Sequence, residues 1–304
     1  MSHSQPNSVI FSTHPLPQRL QRLLLSLLLV SLVTTAAQAS VIYVDNLRGR
    51  DVCDGLVEYP IDRISGPVRT LTRAAALAGP SDTIHVINTG HPYQGDLRLF
   101  GRRHSGIATL PFRVIGNGAV ISGAKPVPAF SWRSVGGLWQ LAPRRKGHFL
   151  LLRDGKPLPR HDHDRNAAEP VLESLPDGHW TVWRGKIYYR TSELIDSGIA
   201  NLSIAGGDCG VTLYAVRHVR IENLVVQHWR LDGISAPGLC RDVVLHNVKC
   251  RQNARAGLVI SGTSQLRGET IELSDNRRHS LLIEDFGLAD IVNGKFSKPP
   301  TLAP

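Results

Sequence analysis

Eight residues in the C-terminal third carry the side chains that acid–base and ionic chemistry need. They are His228, Trp229, Arg230 and Asp232, then Arg255, then Asp275, Arg278 and His279. A carboxylate or imidazole within hydrogen-bond reach of an exchangeable proton acts as general acid or base once its surroundings tune its pKa. On that ground Asp232, His228, Arg255, Asp275 and His279 are the candidate catalytic residues. Arg230 and Arg278 carry planar guanidiniums that match a carboxylate bidentately, and Trp229 offers a ring face for stacking. These three are the candidate substrate-binding residues. The same charges also suit a solvated turn, and Trp229 also suits a cap over that turn.

The eight can cooperate only if the chain returns to the same place at a fixed period, and the sequence carries such a period. Val219 matches Val243, Ile221 matches Leu245, Asn223 matches Asn247 and Gly233 matches Gly257, all 24 residues apart. Asn253 then matches Asn276, Leu258 matches Leu281 and Ile260 matches Ile283, at 23, and a partial further copy begins near Leu288. Each unit is a set of short β-rich runs between Gly and Asn turns, without a helix. This selects stacked β coils over leucine-rich or ankyrin repeats. One coil cannot bury its apolar side chains alone, so Ile234/Leu258/Leu281 and Ala236/Ile260/Ile283 are expected as continuous inner columns. Outward residues one period apart then lie ~4.8 Å apart. The same register turns Cys250 inward beneath Val226. Asn223/Asn247 and Asn253/Asn276 read as ladders that satisfy backbone groups.

The rest of the chain must fit this stack. Val41–Asp45 and Thr83–Ile87 read as strands. Between them Pro67–Ala78 reads as a helix, with Val68, Leu71, Ala75 and Ala78 on one face and Gly79-Pro80 as its stop. Residues 129–204 differ: they hold Trp132, Trp139, Trp180 and Trp183, and a hairpin around Arg184-Gly185, and they read as a β-rich insertion. Within it, His161-Asp162-His163-Asp164-Arg165 has the residue types of a transition-metal site but reads better as an exposed polar loop. Asp45, Asn46, Asp51 and Asp54 offer oxygen donors of the kind calcium takes, without an EF-hand loop.

The 304 residues are 42% hydrophobic and 20% charged, which excludes an acidic disordered chain and a coiled coil. Part of that hydrophobicity is the run Leu23–Val33, preceded by Arg19 and Arg22 and followed by Ala37-Gln38-Ala39. This is the layout of a secretory signal, and the run is short for a membrane span. The expectation is a secreted, periplasmic or cell-surface protein with no stable membrane insertion after processing. Arg19 and Arg22 are the only Lys, Arg, Asp or Glu residues before Ser40, so cleavage lowers the formal charge of +10 by two. Four cysteines, Cys53, Cys209, Cys240 and Cys250, allow three full pairings, and the sequence does not choose among them. The basic residues are scattered, without the aromatic-interleaved runs of a nucleic-acid binder.

Tyr43-Val44-Asp45-Asn46, Gly66-Pro67-x-Arg69-Thr70-Leu71, Asp82-Thr83-Ile84-x-Val86 and Pro111-Phe112-x-Val114-x-Gly116-x-Gly118 together resemble the pectin-lyase-like right-handed parallel β-helix superfamily. They are similar in particular to exported bacterial β-helix proteins of unassigned activity. The likeness covers about 41–123 and 205–297. Asp154–Arg160, with Trp183 and Tyr188-Tyr189, is similar to an insertion of some β-helical glycosidases. The resemblance implies an all-β right-handed parallel β-helix, a solenoid, plugged by a capping helix that uses Leu71, Ala75 and Leu77. It also implies carbohydrate bound along an exposed parallel sheet. Lyases of this group use an Arg or Lys base with calcium, whereas its hydrolases use paired carboxylates, and no motif here selects either.

The expected organisation is an export signal (1–39), a cap with the first coils (40–128), the insertion (129–204) and the C-terminal coils (205–304). The expected function is binding of a polysaccharide, anionic given the basic charge, with cleavage by lyase or glycosidase chemistry. The alternative is a non-catalytic surface protein for adhesion or scaffolding. The chain ends early in its fourth C-terminal coil, and Lys298-Pro299-Pro300 cannot continue a central strand, which favours that alternative.

Overall fold

The computed structural model describes residues 39–162, 172–193 and 201–303. The expected export segment up to Gln38 lies outside them, as do His163, Asp164 and Arg165. The described chain is mostly β, with one α-helix and two large sheets of parallel strands, neither closed into a barrel. No helix among the described residues is long and apolar enough to cross a membrane.

One sheet has six strands: Leu97–Phe100, Cys209–Tyr214, Asp232–Ala236, Ala256–Ile260, His279–Glu284 and Thr301–Ala303, each parallel to its neighbour. The other, of eleven strands, runs from Val41–Val44 through Thr83–Val86, Phe112–Ile115, Arg217–Gln227, Arg241–Arg251 and Gln265–Glu269 to Leu288–Val292. From Cys209 onward the chain alternates between the two sheets. The register is the one the repeat dictates. Val219 lies opposite Val243 and Ile221 opposite Leu245, while Ile234, Leu258 and Leu281 form one row and Ala236, Ile260 and Ile283 another. All are buried except Ile283, beyond which only the short strand Thr301–Ala303 is laid. Pro299-Pro300 therefore interrupts the chain without ending the sheet.

The two asparagine ladders differ: the outer one bonds side chain to side chain, and the buried one satisfies backbone groups that the turns leave open. Asn223 and Asn247 take φ of +53° and +49°, a region that Asn tolerates, and Asn247 Nδ2 donates to Asn223 Oδ1 at 2.7 Å. In the buried ladder, Trp229 N donates to Asn253 Oδ1 at 3.0 Å, Asn253 N to Asn276 Oδ1 at 3.1 Å and Asn276 Nδ2 to the Cys250 carbonyl at 2.9 Å. Gly233 is required by close approach: a Cβ there would meet the Gly257 carbonyl oxygen at 2.7 Å.

The helix, α1 (Leu71–Leu77), is shorter than the 67–78 pattern because Thr70 caps it. The Thr70 hydroxyl accepts from Arg73 N at 3.1 Å, and the Asp51 carboxylate accepts from Thr70 N at 2.9 Å. Val68 instead bridges to Val44 as extended chain. The predicted face is nonetheless buried: Val68, Leu71, Ala75 and Ala78 all join the main core, with Leu77 packed against it.

Two four-stranded antiparallel sheets occupy the Trp-rich stretch. The first contains Ala124–Pro126, Leu151–Arg153, Lys156–Pro157 and Leu202–Ala205; the second contains Trp132–Val135, Leu138–Leu141, Trp180–Trp183 and Lys186–Tyr189. Their core is aromatic, with Trp132, Phe149, Trp180 and Tyr189 buried around Leu151 and Ile187. Arg184 and Gly185 both take positive φ, the two-residue turn that pairs Trp183 with Lys186. Gly206 N donates to the Gly123 carbonyl at 2.9 Å, so the stretch leaves and rejoins the parallel stack at one point.

All four cysteines are free, with Cys53, Cys240 and Cys250 buried. Cys250 lies opposite Val226, inside the stack, and burial pushes its thiol pKa well up.

Candidate functional site

The eight candidate residues do lie along one row of turns, but the row faces two ways. His228, Gln252 and Asp275 occupy equivalent turn positions, all with positive φ (+62°, +54° and +54°), and each redirects the residues after it. His228 is 2% exposed, with Nε2 3.0 Å from Gln252 Oε1 and Nδ1 3.3 Å from Ser122 Oγ. Burial lowers its pKa, so it sits neutral in the structure rather than serving as a solvent-facing base.

Trp229 is also 2% exposed and belongs to the main core. Its ring packs where Gly123, Gly207 and Gly210 leave space; a Cβ on Gly207 would come within 2.2 Å of it. It caps the turn from within and reaches only the floor of a neighbouring cleft, too buried to serve as a stacking platform.

Asp232 is 2% exposed, and both carboxylate oxygens are taken by Arg255: Nε donates to Oδ1 at 2.8 Å and Nη2 to Oδ2. Burial raises the Asp232 pKa, and the Arg255 guanidinium opposes that shift. The Asp232 carboxylate is buried and bound by Arg255 through both oxygens, so it is not free to take a substrate proton. Asp275 is exposed, and its backbone N–H donates to Ser297 Oγ at 3.0 Å. His279 lies two strands from Asp232, which is opposite Ala256, itself opposite His279. That is roughly 10 Å along the stack, so the two form no acid–base pair. His279 Nδ1 is 3.0 Å from Thr301 Oγ1, and burial, with Arg278, Arg255 and Lys298 nearby, lowers its pKa.

Arg230, its side chain only 15% exposed, reaches across to the insertion. Its Nε donates to Asp208 Oδ1 at 2.8 Å and its Nη1 to the Lys146 carbonyl at 3.1 Å. Arg145 reaches the other Asp208 oxygen at 2.6 Å. Burial alone would raise the Asp208 pKa, but these two guanidiniums outweigh it and hold the carboxylate below its ordinary range.

Asp208 opens onto a feature that the repeat did not reveal. In Leu97–Phe100, Leu97 and Leu99 point into the core while Arg98 and Phe100 point out. Tyr214 pairs with Phe100 on the neighbouring strand; the two rings are 6.3 Å apart and about half exposed, at 45% for Phe100 and 51% for Tyr214. Gly238 leaves room for the Tyr214 ring, which a Cβ there would meet at 3.2 Å. Beside this aromatic pair runs a cleft of about 790 Å³, lined by Asp96, Arg98, Phe100, Lys125, Arg145 and Asp208. Asp96 is ion-paired with Arg98. The alternating DLRLF run was the one available signal. The insertion separates it from Tyr214, so no period linked them.

Of the first sequence-proposed metal cluster only His161 and Asp162 are described, and the second does not assemble. Asp162 pairs with Arg160 at 3.1 Å and Arg277 at 2.7 Å, and His163 and Asp164 lie outside the described residues. Asp45 accepts from Leu47 N, Arg48 N and Arg48 Nε, Asp51 from Arg69 N and Thr70, and Asp54 from Leu56 N. Their oxygens shape the cap loop and do not converge, so these residues do not fit calcium. Among the described residues no group of three or more His, Cys, Asp or Glu is placed to hold a metal ion.

No family model matches this chain, and no curated protein matches it. Its fold is similar to that of a solved structure described as "Glycoside hydrolase", with a TM-score of 0.58 over 82% of this chain and 68% of that one, at 12% identity. A complex of XylC with xylose aligns at a TM-score of 0.44 (11% identity; 84% of this chain, 62% of that one). The GH136 lacto-N-biosidase from Eubacterium ramulus also aligns at 0.44 (12% identity; 83% of this chain, 36% of that one). At 12% identity the first likeness is one of fold, not of site residues.

Proposed function

We propose that this chain is an exported right-handed parallel β-helix of the pectin-lyase-like type that binds a polysaccharide, anionic in character, on the outer face of its six-stranded sheet. Passage of the chain back and forth between two parallel sheets at a 23- to 24-residue register supports the β-helix, as does the likeness to a glycoside hydrolase fold. Export rests on Leu23–Val33 and the Ala37–Ala39 motif. The proposed organisation keeps the divisions 1–39, 40–128, 129–204 and 205–304.

The observation that carries the binding reading is the half-exposed Phe100–Tyr214 pair beside a cleft rimmed by Arg98, Lys125 and Arg145. Aromatic faces take the apolar face of a sugar ring, and Lys125, with no ion-pair partner among the described residues, offers a cation for a carboxylate substituent. Cleavage is a second reading, because Asp96 and Asp208 line the same cleft and glycoside hydrolysis uses two carboxylates. Arg145 and Arg230 hold Asp208 below its ordinary range, which makes it a poor proton donor, and Asp96 is engaged by Arg98. Binding without turnover is therefore the favoured reading.

The test is calorimetric titration of the protein with neutral gluco-oligosaccharides, oligogalacturonate and oligo-alginate, with reducing-end release followed in parallel. Phe100→Ala with Tyr214→Ala is expected to weaken binding between about fivefold and a hundredfold, for two rings at roughly 0.5–1.5 kcal/mol each. No binding to any saccharide, or unchanged binding in the double variant, overturns the proposal. Release of reducing ends by wild type but not by Asp208→Asn would establish cleavage instead.

A further inference from the structure

A second cleft, of about 710 Å³, lies on the seam between the antiparallel insertion and the row of turns. From the insertion it is lined by His148, Arg160 and Asp162, and from the turns by Arg277 and Arg278. Three guanidiniums thus face a single carboxylate. Asp162 is shared between Arg160 and Arg277, at 3.1 and 2.7 Å. Arg278 is exposed and has no ion-pair partner among the described residues. His148 Nδ1 is buried on this seam and has no hydrogen-bond partner among the described residues. Burial and the nearby Arg278, Arg255 and Arg230 lower the His148 pKa, as expected in a positive local field.

The geometry points to an oxyanion-binding site on this seam, in which Arg278, with Arg277 and His148 beside it, receives a carboxylate or sulfate group carried by a glycan. Arg278, a guanidinium with no ion-pair partner among the described residues, has the donors that such a group accepts from, and His148 Nδ1 joins them once the ring is protonated, which a bound anion favours. An occupant would touch both the insertion and the turns, and so tie the two together. The site is separate from the Phe100–Tyr214 cleft and stands without it.

The probe is inorganic sulfate, titrated into the full protein by calorimetry at low and at physiological salt. Oligogalacturonate, a sulfated disaccharide and a neutral oligosaccharide follow. Arg278→Gln is expected to weaken sulfate binding at least tenfold, with Tm unchanged because Arg278 is exposed. It should weaken whichever anionic sugar binds and leave the neutral one untouched. The tighter of the uronate and the sulfate ester names the natural group. Wild-type sulfate affinity in Arg278→Gln, or no sulfate binding at low salt, overturns the site. Neutral binding that depends on Phe100 and Tyr214 while sulfate fails leaves the glycan reading standing; sulfate binding through Arg278 with no glycan bound at the aromatic pair does the reverse.

Discussion

Replacing Arg255 by Met removes both donors to Asp232 but keeps an apolar stem of similar length. The Asp232 side chain is only 3% exposed, so the variant leaves a carboxylate buried without a counter-charge. Breaking a buried ion pair at one partner costs roughly 3–5 kcal/mol. The Arg255 side chain is 26% exposed, so some water reaches the pair and the lower end, ~3 kcal/mol, applies. For a chain of this size that is roughly 6–12 °C in Tm. The loss should depend on pH. Burial holds the folded-state Asp232 pKa above its unfolded value, and removing Arg255 raises it further. A group shifted up in this way is compatible with the fold below the unfolded pKa and costs stability as pH rises through the folded value. The deficit of Arg255→Met should therefore be large at pH 7 and shrink towards pH 4, and Asp232→Asn in the same chain should recover most of it. Urea denaturation of wild type, Arg255→Met and the double variant at both pH values makes the comparison. A deficit below about 1 kcal/mol at pH 7, or equal deficits at pH 4 and pH 7, would refute the assignment of Asp232 as a structural buried charge.

The His228 imidazole is held neutral by burial, so its stabilisation is complete above the unfolded pKa and is lost as pH falls through it towards the depressed folded value. Thermal melts from pH 7.5 to 5 should show wild type losing up to about 1.4 kcal/mol per pH unit from this residue, a component absent in His228→Gln. Gly233→Ala places a Cβ 2.7 Å from the Gly257 carbonyl oxygen and 2.9 Å from Cys250 Cβ. It should cost about 1–3 kcal/mol in urea denaturation, and a neutral outcome would mean that adjacent strands can part locally.

Much of the architecture was legible because stacked strands write their register into the sequence as a period. Matching Val219 with Val243 and Leu258 with Leu281 is enough to pair the strands. The asparagine ladders follow because equivalent residues become neighbours. The helix was legible in its buried face but not in its start, which depends on Asp51, nineteen residues before Thr70, reaching across to it. The chemistry was less legible. A period places residues in a row but does not say which way each one turns.

Residue spacing was enough to fix the pairing of the C-terminal strands from Arg217 onward, their inner columns and the position of the turn row. Tertiary structure decided what that row can do. Left-handed residues stand at His228, Gln252 and Asp275; His228, Trp229 and Asp232 are buried while Arg278 is exposed and Arg230 reaches across to Asp208. It also decided where a ligand meets the protein. Phe100 and Tyr214 are joined only by strand pairing across the insertion, and His148 meets Arg278 only because the insertion folds back onto the turns through Arg230. Both contacts lie outside any repeat, because they arise from where a non-repeating segment packs.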